Sequence, residues 1–305
     1  MPQLPLRLVR TTLRPLYRLT LNARLPYSVQ RRLLEAAAPI QPLPEGTVVR
    51  KVTLGGRPAE RVTVGATERP TAVLYLHGGA YTCASPATHR SLVAHLAAAT
   101  GSVVYALDYR LAPEHPYPAA LDDAVAAYID LITEHGADAA TTPLAGDSAG
   151  GGLSVATARR LIDRHGVTPA ALGLLSPWVD PGSRTVPFDR DVVVNTAWAF
   201  SSAEAYLGTG DPADPGYAPL HGDLTGLPPT LIQVGVREVL YPQISEFAEK
   251  LRAAGVDLEY TEQPELWHVA HLQAGLVREA AEAVDDVGTF LRRHMSGAAP
   301  AGTHD

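Results

Sequence analysis

The chain has a single cysteine, Cys83, in 305 residues. One thiol cannot build an internal disulfide framework, so the small disulfide-stapled folds are excluded and a reducing, cytoplasmic compartment is expected. Cys83 itself reads as a small buried filler. Basic residues are also in deficit: 25 Lys and Arg stand against 32 Asp and Glu, a formal charge of -7. Nucleic acid, which calls for a basic face, is therefore not an expected partner. No apolar run approaches the ~18 residues of a membrane span, so stable membrane insertion is excluded. Acidic residues are missing before Glu35, while seven arginines break every apolar run of residues 1–34. A signal peptide needs an uninterrupted apolar stretch, and none is present. Leu6, Val9, Leu13, Leu16 and Leu19 recur at helical spacing, with Pro15 expected to interrupt the helix. The expected role of that segment is packing on the body of the protein, the alternative being contact with an anionic membrane.

What is present suits one soluble α/β domain. Hydrophobic residues make up 46% and charged residues 19%, enough apolar material for a large core. Extended runs are predicted at Thr47–Leu54 and Glu60–Val64, joined by Gly55-Gly56, and at Thr71–Leu76, Ser102–Leu107, Thr142–Ala145, Ala171–Leu175, Thr230–Gly235 and Leu258–Thr261. Helices are predicted at Thr88–Thr100, Ala119–His135, Ala149–His165, Gln243–Ala254 and Val269–His294. Glycines at 101, 136 and 166 read as helix stops. Pro143 is awkward in a central strand. Strands alternating with helices imply a mostly parallel sheet covered on both faces. Residues 181–228 break the rhythm with Pro, Asp and Gly and one weak helix, Thr196–Leu207. That insertion is placed as a lid over a site at the strands' carboxyl ends, and residues 298–305 read as a disordered tail.

Two glycine-rich stretches carry the chemistry. Gly146-Asp147-Ser148-Ala149-Gly150-Gly151 fits the G-x-S-x-G nucleophile elbow. His77-Gly78-Gly79-Ala80-Tyr81 is one residue from the HGGG-type oxyanion loop. A sharp strand-to-helix turn exposes a serine hydroxyl, and small neighbours at minus two and plus two let the backbones crowd there. The amide of Ala149, at a helix start, and those of Gly78 and Gly79 are candidate oxyanion donors. A base and an acid should follow in the order Ser, Asp or Glu, His. His268 follows the last strand in a loop and is preferred over His271. No third ligand is spaced to make those two a metal site, and no cofactor is expected. No aspartate lies between Leu224 and Gly255, leaving Glu238 as the carboxylate at the end of Thr230–Gly235.

Together these residues resemble the hormone-sensitive-lipase-like group of α/β-hydrolase esterases. Asp108-Tyr109-Arg110-Leu111-Ala112-Pro113-Glu114-His115-Pro116-Tyr117-Pro118-Ala119-Ala120 is similar to that group's signature segment, which buttresses the oxyanion loop. Ser176-Pro177-Trp178-Val179-Asp180 and Gly226-Leu227-Pro228-Pro229 match its pattern on either side of the cap. The resemblance implies an α/β-hydrolase core (46–180 and 229–297), with residues 1–45 and the insertion 181–228 forming the cap. It implies Ser148 as nucleophile, Glu238 as acid and His268 as base. Three departures stand out: Ala80 for the third glycine, Ala84 for a usual glycine, and Glu238 where Asp is commoner.

The implied reaction is hydrolysis of short- to medium-chain acyl esters through an acyl-enzyme, with a small-molecule ester as partner. The same triad serves a deacetylase, amidase or lactonase. A non-catalytic binding protein is the rival from another class, as in plant hormone receptors that resemble this group but lack the histidine. Tyr81, Asp147, Trp178 and Trp198 are the candidate substrate contacts, in a pocket expected to be aromatic-lined with help from Tyr27, Tyr206 and Tyr217. A homodimer is conceivable through the closing helix and last strand.

Overall fold

Five strands are buried along their whole length: β3 (Ala72–Leu76), β4 (Val103–Leu107), β5 (Leu144–Asp147), β6 (Leu172–Leu175) and β7 (Thr230–Gly235). Continuous apolar runs of that kind cannot sit at a wet surface, and they form the centre of an eight-stranded sheet. The computed structural model describes residues 3–65, 71–185 and 191–295; the tail expected at 298–305 lies outside them. β1 (Thr47–Leu54) and β2 (Arg57–Val64) form an antiparallel hairpin at one edge, and β2 pairs antiparallel with β4. From β4 onward all pairings are parallel, in the order β4-β3-β5-β6-β7-β8, with β8 at Leu258–Gln263.

Alternation along β3 divides the core. Leu74 and Leu76 belong to one apolar cluster, Val73 and Tyr75 to the other. The first cluster is closed by α4 (Ala119–Thr133), α5 (Ala149–His165) and α7 (Tyr241–Ala253) through Leu121, Tyr128, Leu153 and Phe247. The second is closed by α3 (Pro86–Thr100) and α8 (Arg278–Met295) through Leu92, Leu96, Val287 and Phe290. α3 starts in a capping box between Ser85 and Thr88 and stops at Gly101, whose φ of 69° suits glycine. Three further helices complete the structure: α1 (Leu6–Thr20), α2 (Tyr27–Ala37) and α6 (Thr196–Leu207).

Strand order positions the site. β3 leads on to β4 on one side, while its other neighbour is β5, so the connections diverge between β3 and β5. Loops leaving the carboxyl ends of such a pair part company and open a crevice. Leu76 pairs with Gly146, which sets the His77-Gly78-Gly79 loop beside the Asp147-Ser148 turn. Pro143 is harmless because it precedes β5, where only its carbonyl is used, accepting from the Leu74 amide at 3.1 Å.

Two expectations fail here. α1 runs straight through Pro15; the ring lies on the exposed side, where the unpaired carbonyl of the preceding turn can face water. The closing helix does not begin at Val269. That residue has a left-handed φ of 50° and opens a short 3-10 turn, Ala270–Gln273, before α8 starts at Arg278. Between them Gly275 lies against the Pro42 backbone, where a Cβ would come within 2.7 Å of its carbonyl oxygen.

Candidate active site

Ser148 sits between β5 and α5 with φ 49° and ψ -119°. A non-glycine residue in such a conformation costs about 1–3 kcal/mol, and surrounding structure must impose it. Here the Ser148 amide donates to Leu175 O at 2.8 Å, and its carbonyl accepts from Trp178 N at 2.7 Å and Gly152 N at 3.1 Å. Gly150 makes the turn possible, because any Cβ there would overlap the Leu76 carbonyl of β3.

The turn points the Ser148 hydroxyl at His268, with Oγ to Nε2 at 2.9 Å. On the other edge of the ring, Nδ1 lies 3.3 Å from Glu238 Oε1, and neither atom is hydrogen-bonded elsewhere. With the Nδ1 proton facing the carboxylate, Nε2 is left as acceptor for the serine proton. The second Glu238 oxygen accepts from Ser176 Oγ at 2.8 Å and from the Gly235 amide at 3.1 Å. Burial alone would lower the His268 pKa; the facing Glu238 charge and contact outweigh it and hold the imidazole above its usual value. Burial also dominates at Glu238, leaving its carboxyl raised despite His268 and Ser176. Neighbouring His271 behaves oppositely. It is buried against the neutral side chain of Gln233, Nε2 to Oε1 at 2.7 Å, and burial pushes its pKa down to about 4.

The amides around Ser148 do not all match expectation. Gly78 N–H is committed to Asp147 Oδ1 at 2.9 Å and cannot serve as a free donor. Gly79, Ala80 and Ala149 each have an amide with no hydrogen-bond partner among the described residues. Ala80 (φ 53°) and Gly79 (φ 110°) both lie at positive φ, which turns consecutive amides in one direction, as in an anion-binding nest. Asp147 is likewise a positioning group and not a free substrate contact. Its carboxylate borders the pocket, but its oxygens receive Tyr75 OH at 2.7 Å, the Gly78 amide, and His89 Nε2 at 3.3 Å. Burial would raise its pKa; His89, Tyr75 and the Gly78 amide together hold it below the usual range. The segment after β4 supports the same loop, with Tyr109 OH on His77 O at 2.6 Å and Ala112 N on Tyr81 O at 2.9 Å.

A cavity of about 240 Å³ opens above Ser148 and His268. Leu13, Leu16, Leu33 and Leu34 of α1 and α2 line it, with Trp198 of α6 and Val194. Trp198 is thus at the pocket, its Nε1–H donating to the buried Gln30 Oε1 at 2.8 Å. Tyr81 and Trp178 are not. Tyr81, at φ 60°, stacks its ring on Tyr206 with centroids 3.6 Å apart, and Trp178 packs behind it at 6.3 Å. Tyr217 joins the same stack. Those rings form core behind the oxyanion loop, so the pocket wall is mainly aliphatic, with Tyr17 and Trp198 as its aromatic members, where a more aromatic one was expected. Ala84 also lines the pocket, in a left-handed conformation (φ 70°) that a glycine would adopt without strain. Cys83 is buried, with Sγ 3.6 Å from Gln30 Oε1.

Two supporting residues carried no sequence signal. Ser176 (φ 47°) is fixed by its amide on Gln233 O and bonds Glu238; only its place in the Ser-Pro-Trp match hinted at it. Asp191 accepts from the amides of Val193, Val194 and Val239, clamping the loop that carries Glu238 to the insertion. Among the described residues no group of three or more His, Cys, Asp or Glu is placed to hold a metal ion.

Comparison with known proteins agrees with this geometry. The profile of the alpha/beta hydrolase fold family matches residues 73–272. A hormone-sensitive lipase from a metagenome library superposes with a TM-score of 0.90 at 34% identity, covering 97% of this chain and all of that one. The chain belongs to the hormone-sensitive-lipase-like group of α/β-hydrolases. Within the α/β-hydrolases it is also similar to LipR of Mycobacterium tuberculosis, which bears the name acetyl-hydrolase, at 37% identity over 94% of both chains. An acetyl-hydrolase of Streptomyces hygroscopicus is 42% identical over 78% of this chain and 84% of its own.

Proposed function

We propose that this carboxylic ester hydrolase cleaves short- to medium-chain acyl esters with Ser148, His268 and Glu238 as its triad. The observation that carries the reading is the Ser148 Oγ–His268 Nε2 contact of 2.9 Å, backed by Glu238 at 3.3 Å on the far side of the ring. His268 takes the hydroxyl proton as Ser148 Oγ attacks the ester carbonyl. Glu238 holds the tautomer and stabilises the imidazolium that forms. The carbonyl oxygen becomes an oxyanion within reach of the amides of Gly79, Ala80 and Ala149, the last at the positive end of α5. His268 then returns the proton to the leaving alcohol, and the acyl-enzyme remains. Water, deprotonated by the same imidazole, releases the acid and frees Ser148.

Residues 1–45 and 181–228 act as the cap, since α1, α2 and α6 supply the pocket wall. Its volume of about 240 Å³ falls below the ~300–1,000 Å³ of sites built for larger ligands. That size and the aliphatic wall favour compact acyl groups, and the acetyl-hydrolase relatives point to the short end of the range. The test is hydrolysis of p-nitrophenyl esters from acetyl to dodecanoyl, with Ser148→Ala as control. Serine-dependent turnover that peaks at short chains is expected. A Ser148→Ala enzyme that keeps its activity would overturn the assignment, and a peak at dodecanoyl would overturn the chain-length reading.

A further inference from the structure

α1 presents one apolar face to the protein and a second to water. Val9 is buried, and Leu6 and Leu13 pack beside it against Leu266, Trp267 and Ala270. Leu8, Leu16 and Leu19 point elsewhere and are 55%, 51% and 69% exposed. With about 100° of rotation per residue, Leu8 and Leu19 fall side by side on the outer surface, flanked by Arg7, Arg14 and Arg18. Leu4, Leu33 and Ile40 extend the exposed apolar surface over the same region. Beyond Val48 no large apolar side chain is exposed among the described residues. Isolated surface leucines are ordinary, but Leu8, Leu16 and Leu19 exposed together on one helix mark an interaction face.

Charge says what kind of face. Residues 1–34 hold seven arginines and no acid. All 32 acidic residues lie at or beyond Glu35, beside 18 of the 25 basic ones. An otherwise acidic molecule therefore carries a cationic, leucine-studded cap. The same helices supply Leu13, Leu16, Tyr17 and Leu33 to the pocket wall above Ser148, so this face surrounds the pocket.

We propose that α1 and α2 dock on an anionic lipid surface, leucines among the acyl chains and arginines at the phosphates, with the catalytic pocket opening against the membrane. The attachment is peripheral, because no helix among the described residues is long and apolar enough to cross a bilayer. An amphipathic helix lying in the interface draws on buried apolar area plus attraction to anionic headgroups, and this cap offers both. A second copy of the chain fits less well, since a two-fold contact would set the arginine-rich α1, which carries no acid, against itself.

The test is flotation of the full-length Ser148→Ala protein, which leaves lipid intact, with phosphatidylcholine vesicles and with equal mixtures of phosphatidylcholine and phosphatidylglycerol. Binding to the anionic vesicles is expected, weakened by salt, with little on the neutral ones. Arg7→Gln combined with Arg14→Gln should weaken it about 30-fold, and Leu8→Ser with Leu19→Ser should weaken it comparably. Introduced into the active enzyme, the leucine pair should not alter hydrolysis of a soluble acetyl ester, as neither leucine lines a cavity that reaches His268. Equal binding to both vesicle types, no binding, or insensitivity to both pairs overturns the proposal. So does a dimer in sedimentation velocity that Leu8→Ser and Leu19→Ser dissolve, which would assign the face to a second copy.

Discussion

The floor and the roof of the pocket are built on different physical terms. The floor is backbone and hydrogen bonds: Ser148, Ser176 and Val269 all lie at positive φ, and Asp147 and Glu238 each satisfy several donors in a buried setting. Almost every atom there is fixed by a partner. The roof is mainly apolar contact from α1, α2 and α6, with polar ties such as Gln30 to Trp198, Tyr27 to Ser201, and Arg31 to Glu114 and the carbonyls of Thr82 and Ala112. A floor of that kind tolerates no change of residue type, whereas a roof asks mainly for apolar volume. On the proposed function, chemistry belongs to the first and selectivity to the second, and substitutions should separate them by size of effect.

The largest effect is expected at Glu238. Glu238→Gln keeps the shape but removes the charge that holds His268 in its working state, so kcat should fall by about 10⁴. Its pH dependence gives an independent readout. His268 must be neutral to accept the serine proton, so activity is lost as pH falls through its folded pKa. Glu238 raises that pKa above the usual imidazole value, which shifts the acidic limb of kcat/KM to higher pH. In Glu238→Gln the limb should move to lower pH, because burial then acts on the imidazole with only the lesser charges of Asp191 and Asp147 to oppose it. An unmoved limb would mean that Glu238 does not face the titrating base. Deletion of the charge with normal turnover would place the acid elsewhere.

How far this was legible in the sequence follows the same division. Floor motifs need particular residue types at local spacing, so the elbow, the loop after β3 and the Glu238 position were readable, and the runs at Thr47–Leu54, Ala149–His165 and Thr230–Gly235 coincide with the elements found. What escaped depends on long-range geometry. That Asp147 takes the Gly78 amide is set by two strands meeting 69 residues apart in sequence, which no spacing rule encodes. Tyr81 and Trp178 were read as pocket residues because they adjoin the motifs, yet a left-handed backbone turns Tyr81 into the stack with Tyr206. The closing helix begins only at Arg278, beyond Gly275, which lies against the Pro42 backbone far away in sequence, again a tertiary feature. On the roof, only the helical spacing of leucines was visible, and it could not say which leucines would be left in water.

Asp147 should give an intermediate effect. Its carboxylate ties Gly78, Tyr75 and His89 together but does not touch the reacting atoms. Asp147→Asn can keep an oxygen for the Gly78 amide and the Tyr75 hydroxyl, which share Oδ1, but it removes the charge and puts an NH2 in place of the Oδ2 that faces His89 Nε2, loosening the loop that presents Gly79 and Ala80. If those amides meet the oxyanion only in the transition state, kcat should drop about 10- to 100-fold with KM little changed. A rise in KM alone would instead give Asp147 a role in ground-state binding, as a direct substrate contact would have.

The smallest effect belongs to the roof. Trp198 forms part of the pocket wall and is anchored there only through Gln30, so Trp198→Ala opens space without disturbing Ser148, His268 or the amides. Turnover of acetyl ester should change little. The ratio of octanoyl to acetyl kcat/KM should rise by roughly tenfold, the gain expected if the opened space improves the fit of about one methylene of the longer chain. Phe at the same position should restore most of the original ratio by refilling the volume. Should Trp198→Ala instead depress all esters equally, the ring would be fixing the catalytic loop through Gln30, and the separation of floor from roof would fail at that residue.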